Sequence, residues 1–233
     1  SGVTRISSLG AGCPDKDGDG AVETSTGSAD VKAYGQDECL LWFTPLTPAG
    51  KVRGVAAQDI PARITIEPQP AGPPKITETP AEHYVWVGTN NDGGASNLWK
   101  VDAATGAVLI TLAAPVPVYG LAMSGTGILY MSKGYFGDQF AWVDTAQCRD
   151  QATCDALVAC AISCTPTVCP NTCDGAGIGI VTMSGGAATS AYSYGITVDC
   201  KQRVWLAGIT NSNVRRYDPS QPADMRLTVA AGT

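Results

Sequence analysis

One histidine, His83, stands in 233 residues, and only 15% of the chain is charged and 7% aromatic. That single imidazole bounds the chemistry, because any Ser-His-Asp or Cys-His arrangement would have to use it. Its context, Glu82-His83-Tyr84, reads instead as a strand entrance with a partly exposed structural histidine. No H-E-x-x-H, G-x-S-x-G or P-loop pattern occurs. Basic residues are few and scattered, Arg215-Arg216 being the only adjacent pair, and the net charge is −6. A nucleic-acid binder needs Lys and Arg against phosphates, so no nucleic-acid partner is expected. No run approaches the roughly 18–20 apolar residues of a membrane helix, so no membrane span is expected either. A basic-then-apolar leader is also missing. Ser1 to Ile6 reads as a strand already under way, and the numbering is expected to begin after processing or inside a longer chain.

Cysteine, glycine and proline are what the chain has instead. With 27 glycines and 15 prolines, about one residue in six favours turns, against about one in eight on average. That describes many short elements rather than long helices. Six of the nine cysteines crowd together, at Cys148, Cys154, Cys160, Cys164, Cys169 and Cys173, with no C-x-x-C gap. Zinc ribbons need short pairs set well apart. The run therefore reads as disulfides in an oxidising compartment, with a metal site over Cys160 to Cys173 as the alternative. Cys13 and Cys39 bracket an acidic stretch and are expected to pair. Cys200 is expected to be a buried free thiol on the inner strand of its repeat.

A repeat runs through the chain. Glycine followed ten residues later by an aromatic occurs twice, from Gly120 to Tyr130 and from Gly195 to Trp205, each glycine preceded by a tyrosine, Tyr119 and Tyr194. Each unit then offers an apolar residue plus Asp, Val143-Asp144 and Tyr217-Asp218. A third copy, offset by an insertion, has Gly54, Trp86 and Val101-Asp102 at the matching places. Each unit reads as three or four short antiparallel strands, with hairpin turns at Asn90 to Gly94 and Ser124 to Gly127. Repeated four-stranded sheets of about 40 residues describe β-propeller blades, and a β-sandwich is the alternative. Trp86, Trp99, Trp142 and Trp205 recur at blade positions and read as core rather than as carbohydrate platforms.

Gly195 to Ala207 follows the pattern Gly-φ-x-φ-Asp-x-x-Gly-x-φ-Trp-φ-x, where φ is apolar. Gly195, Ile196, Val198, Asp199, Val204, Trp205 and Leu206 match it, and Gln202 or Arg203 stands where the turn glycine usually is. In this the chain resembles the blades of NHL-type and streptogramin-lyase (virginiamycin B lyase)-like propellers, over residues 52–233. The resemblance implies a propeller fold. Streptogramin-lyase-like enzymes are understood to use a histidine general base with a metal, and that base maps onto no position here. Propellers host many unrelated activities, so the likeness carries little about function.

The sharpest chemical signal is Asp15-Lys16-Asp17-Gly18-Asp19-Gly20-Ala21-Val22-Glu23. Carboxylates at alternate positions converge when the backbone wraps tightly, and Gly20 permits the turn. Ala21 offers a carbonyl and Glu23 a further acid. Calcium takes six to eight hard oxygen ligands of this kind, so Asp15, Asp17, Asp19, Ala21 and Glu23 are the expected Ca²⁺ set. A solvated acidic turn is the alternative. The loop departs from an EF-hand, since Thr26 replaces the bidentate Glu and the flanks do not read as helices. It looks more like the loops between strands of integrin-type propellers. Asp37 and Glu38 are candidates to complete the shell, and Trp42 is expected to pack the insertion onto the scaffold.

The expected organisation is all-β. Residues 1–7 would be the last strands of a preceding blade, and 8–50 an inserted calcium-loop region. Residues 51–117 would be a blade with a Pro-rich insertion, 118–190 a blade with a cysteine-rich insertion at 146–176, and 191–233 a blade. Pro68, Pro70, Pro73, Pro74 and Pro80 mark an extended surface excursion, and Asp150 to Ala161 a short helix. About three blades cannot close a ring, which takes about 4 to 8. The chain is therefore expected to be a fragment or one part of a larger propeller, partnered by remaining blades or by other subunits of an extracellular assembly. The functional expectation is a secreted or cell-surface, calcium-stabilised binding or structural module. The rival is a streptogramin-lyase-like lyase or hydrolase whose active site lies mostly outside this chain.

Overall fold

Consecutive buried residues, Trp86–Thr89, Leu98–Val101 and Leu129–Ser132, show strands covered on both faces, and the architecture follows from burying both. The computed structural model describes residues 1–7, 12–33, 35–92, 94–135, 137–163, 177–183, 193–208, 214–222 and 226–230. β1 (Gly2–Ile6) pairs antiparallel with β2 (Leu40–Pro45). β3 (Val52–Ile60) follows, then a separate two-stranded arm, β4 (Arg63–Glu67) with β5 (Lys75–Thr79). β6 (Glu82–Thr89), β7 (Asn97–Asp102) and β8 (Val108–Ala113) join β3 in the first four-stranded sheet, ordered β3-β6-β7-β8. β9 (Gly120–Met123), β10 (Ile128–Ser132), β11 (Gln139–Asp144) and β12 (Ile178–Thr182) form the second. β13 (Gly195–Val198), β14 (Val204–Ala207), β15 (Val214–Tyr217) and β16 (Leu227–Ala230) form the third. All three are antiparallel meanders.

The sheets stack face to face. Val87, Trp99 and Val101 of the first sheet pack with Leu46, Val3 and Trp42 on the hairpin side. Its opposite face puts Trp86, Leu98 and Ile110 against Leu129, Met131 and Val143 of the second. Tyr130 and Phe140, on the far face of the second sheet, meet Val204, Leu206 and Tyr217 of the third. The first strands of the three sheets, β3, β9 and β13, lie side by side. Among the described residues no core cluster covers the outer face of the third sheet, where Trp205 sits opposite Arg216. The fold is all-β, with one helix among the described residues, α1 (Gln151–Ser163), laid against β8 and β12. Its start is a reciprocal cap: Thr153 N donates to Asp150 Oδ1 at 2.9 Å, and Asp150 N to Thr153 Oγ1 at 3.1 Å.

The repeated aspartates prove to be turn-formers. Asp102 Oδ1 accepts from Ala104 N and Thr105 N, Asp144 Oδ1 from Ala146 N, and Asp218 Oδ1 from Ser220 N. Asp199 gathers Lys201 N, Arg203 N, Arg203 Nε and Trp205 Nε1, closing the β13–β14 hairpin. Its carboxyl is held far below the usual range, first by the Arg203 side chain and then by the Trp205 indole. Gln202, with φ 63°, occupies the left-handed turn position, so it is Gln202 rather than Arg203 that replaces the turn glycine. Its Oε1 is also buried without a partner among the described residues. Gln202→Gly is therefore expected to stabilise the protein by about 1 kcal/mol, seen as a higher urea midpoint at unchanged m-value. A lower midpoint would contradict this.

Three readings change. The surface excursion expected over residues 67–80 is exposed but belongs to a paired arm over 63–79, with Pro68, Pro70, Pro73 and Pro74 in its tip between Glu67 and Lys75. Residues 40–45 leave the insertion to pair with β1. Cys200 is a free thiol but exposed, because β13 ends at Val198 and the Asp199 turn carries Cys200 outward.

Candidate metal centre

The acidic insertion hangs between β1 and β2, and Trp42 on β2 anchors its base: Trp42 Nε1 donates to the Ala103 carbonyl at 3.1 Å. A Cys13–Cys39 disulfide closes the insertion. Within it the loop folds on its own carboxylates. Asp15 Oδ1 and Oδ2 accept from Gly18 N at 2.6 Å and Gly20 N at 2.8 Å. Asp17 Oδ1 accepts from Asp19 N, and Asp19 Oδ1 from Ala21 N. Gly18 and Gly20 have φ of 78° and 91°, which this winding requires and which side-chain-bearing residues rarely adopt. The amides of Gly20 and Gly18 hold the Asp15 carboxyl below its ordinary value, so it stays ionised.

Asp15, Asp17 and Asp19 are exposed, and one carboxylate oxygen of each lies within 4.8 Å of the others. Two oxygens bound to one calcium at about 2.4 Å are at most about 4.8 Å apart, so the three fit a shared ion. Each carboxylate oxygen has two lone pairs, so an amide bond leaves one for a metal. Glu23 is exposed and outside this cluster; its backbone N donates to Glu38 Oε2 at 2.9 Å. Ala21 enters through its N–H to Asp19.

Asp37 and Glu38, candidates to complete the shell, lie outside the Asp15-Asp17-Asp19 group and bind backbone amides and hydroxyls. Glu38 is 4% exposed, and its carboxylate accepts from the amides of Glu23 and Lys16, which lower its pKa. Asp37 accepts from the Ser25 hydroxyl and amide, then from Thr24 Oγ1 and Cys39 N, and its pKa falls to about 2. These two carboxylates bolt the loop to the Cys39 strand entrance. Lys16 completes the clamp, donating to the carbonyls of Asp37 at 3.0 Å and Leu40 at 2.8 Å.

A second disulfide joins Cys148 to Cys154 at the start of α1, and Cys160 is disulfide-bonded as well. Cys164, Cys169 and Cys173 lie outside the described residues. Such bonds point to an oxidising environment. No helix among the described residues is long and apolar enough to cross a membrane. His83 Nδ1 lies 2.7 Å from Asp59 Oδ1 on an exposed strand end. Among the described residues no hydroxyl or thiol hydrogen-bonds its other ring nitrogen.

No protein-family model matches the chain, and no curated protein matches it significantly.

Proposed function

We propose that this chain is a secreted or cell-surface module built of β-propeller blades, stabilised by a calcium ion in its disulfide-closed insertion, and that it serves binding or assembly rather than catalysis. The observation that carries this reading is the convergence of Asp15, Asp17 and Asp19 inside the loop closed by Cys13–Cys39. Calcium would take those three carboxylates, with carbonyl and water oxygens filling the rest of its shell. Without it, three exposed anions repel one another across a few ångströms. The propeller part of the reading rests on three like meanders stacked by their faces, with their first strands side by side. Partners are further blades or other subunits of an extracellular assembly. The β4–β5 arm favours an assembly role: Ile64, Ile66 and Ile76 are 60–67% exposed on one of its faces, and an isolated hairpin is marginal in water on its own.

An extracellular calcium site binds at about 10⁻⁴–10⁻³ M. Raising calcium to about 10 mM after chelation is then worth roughly 1.4–2.7 kcal/mol, or about 3–10 °C in melting temperature. The Asp17→Asn variant is expected to lose that rise. An unchanged melting temperature in the wild type would overturn the reading.

A further inference from the structure

The gap between successive sheets is filled differently at one equivalent position. In the second sheet Trp142 pairs across from Tyr130, and the cavity beside it, toward the third sheet, is about 240 Å³. In the first sheet the same position, across from Trp86, is Lys100, and the cavity toward the second sheet is about 750 Å³. A flexible amine stands where an indole would have closed the space.

Lys100 is 6% exposed and lines this cavity. Its Nζ lies 3.8 Å from the Tyr84 ring centroid and 5.9 Å from that of Trp86. No oxygen among the described residues accepts a hydrogen bond from it. The other buried polar groups on the wall are already engaged. Trp86 Nε1 donates to Gln58 Oε1 at 2.7 Å, Gln58 Nε2 to Thr145 Oγ1 at 2.6 Å, and Thr145 Oγ1 to the Gly127 carbonyl at 2.7 Å. Ser124 Oγ accepts from Ile128 N at 2.8 Å. Lys100 Nζ rests on the Tyr84 ring face and opens into the cavity, with no oxygen acceptor among the described residues for its donors. Burial pushes its pKa down while the Glu82 charge pulls it up.

The rim has the same sign. Arg63 and Arg149 line the cavity, and neither guanidinium makes an ion pair or hydrogen bond among the described residues. Asp59 is the one carboxylate on the lining among the described residues, and its Oδ1 is engaged by His83. Ile60, Pro61 and Met123 give the walls an apolar part.

We propose that this cavity is a binding site for a small organic anion, with a carboxylate seated on Lys100 Nζ and the outer end of the molecule reaching Arg63 and Arg149. An ammonium on a largely buried side chain, facing an apolar-walled cavity with no acceptor oxygen among the described residues, gains a charge-assisted bond from an anion that enters. The volume is that of a site for an ordinary small molecule. The inference is independent of the calcium reading, since it uses no residue of the insertion.

Isothermal titration of the full chain with glutarate, glucuronate and benzoate, each against inorganic phosphate at matched ionic strength, tests it. At least one carboxylate is expected to bind saturably at one site, more tightly than phosphate. Lys100→Met keeps the aliphatic stem and the packing on Tyr84 but removes the donors, and should weaken that binding by at least about tenfold. Its urea midpoint, expected to be equal or higher, shows that the fold is intact. No saturable binding by any of the three, equal binding by Lys100→Met, or phosphate binding as tightly as the carboxylates would each overturn the proposal.

Discussion

Trp86→Ala is expected to cost about 3–5 kcal/mol, lowering the melting temperature by roughly 6–20 °C. Trp86 is fully buried between the first and second sheets. Its loss opens a cavity that the surrounding Leu98, Ile110 and Leu129 cannot close, because each is tied to its own strand. It also leaves Gln58 Oε1 without its donor at 2.7 Å, and a buried acceptor left unpaired adds to the loss. Trp205 holds the same place in the third sheet but is only half-buried, and its Nε1 donates to Asp199 Oδ2 at 2.9 Å. Trp205→Ala should therefore cost only about 1–2 kcal/mol, for one charged-acceptor hydrogen bond and partial burial. Equal losses at the two tryptophans would contradict the face-to-face stacking described above.

The second large effect lies in the insertion. Replacing Cys13 and Cys39 together by serine frees a loop of 26 residues in sequence separation, worth about 3.5 kcal/mol in the chain-entropy model. The sheets have their own cores, so the loss is expected to be local. Amide hydrogen exchange at Gly18, Gly20, Ala21 and Glu23 should quicken by roughly two orders of magnitude, while exchange in β6 and β7 stays as it was. Those four amides bond to Asp15, Asp19 and Glu38, so their protection reports the loop directly. Unaltered exchange at all four would show that the carboxylate network holds the loop without the disulfide.

Much of this was legible in the residues because it is local. Gly-to-aromatic spacing located β9–β10 and β13–β14, and the Asx-forming aspartates marked the turns after β7, β11 and β15. Alternate aspartates with Gly18 and Gly20 announced a tight acidic loop. What escaped is non-local. The pairing of β2 with β1 spans the whole insertion, so nothing near Leu40 signals it. Glu38 reads as one more acid beside Asp37, yet its role is set by amides at Lys16 and Glu23, far off in sequence. The arm is masked by its prolines, which cluster at its tip, where no strand hydrogen bond is required. Lys100 carried a signal that alternation alone provides. Leu98 points inward, so Lys100 two residues on must also face the core, and a lysine there is the exception worth noticing.

The most direct test is calcium binding itself. Isothermal titration of chelator-treated protein with calcium chloride should give one ion per chain with a dissociation constant of about 10⁻⁴–10⁻³ M, and Asp15→Asn or Asp17→Asn should abolish the heat while leaving the sheets folded. Absence of saturable binding up to about 10 mM, an order of magnitude above that range, or undiminished binding in both variants, would contradict the assignment of Asp15, Asp17 and Asp19 to a metal.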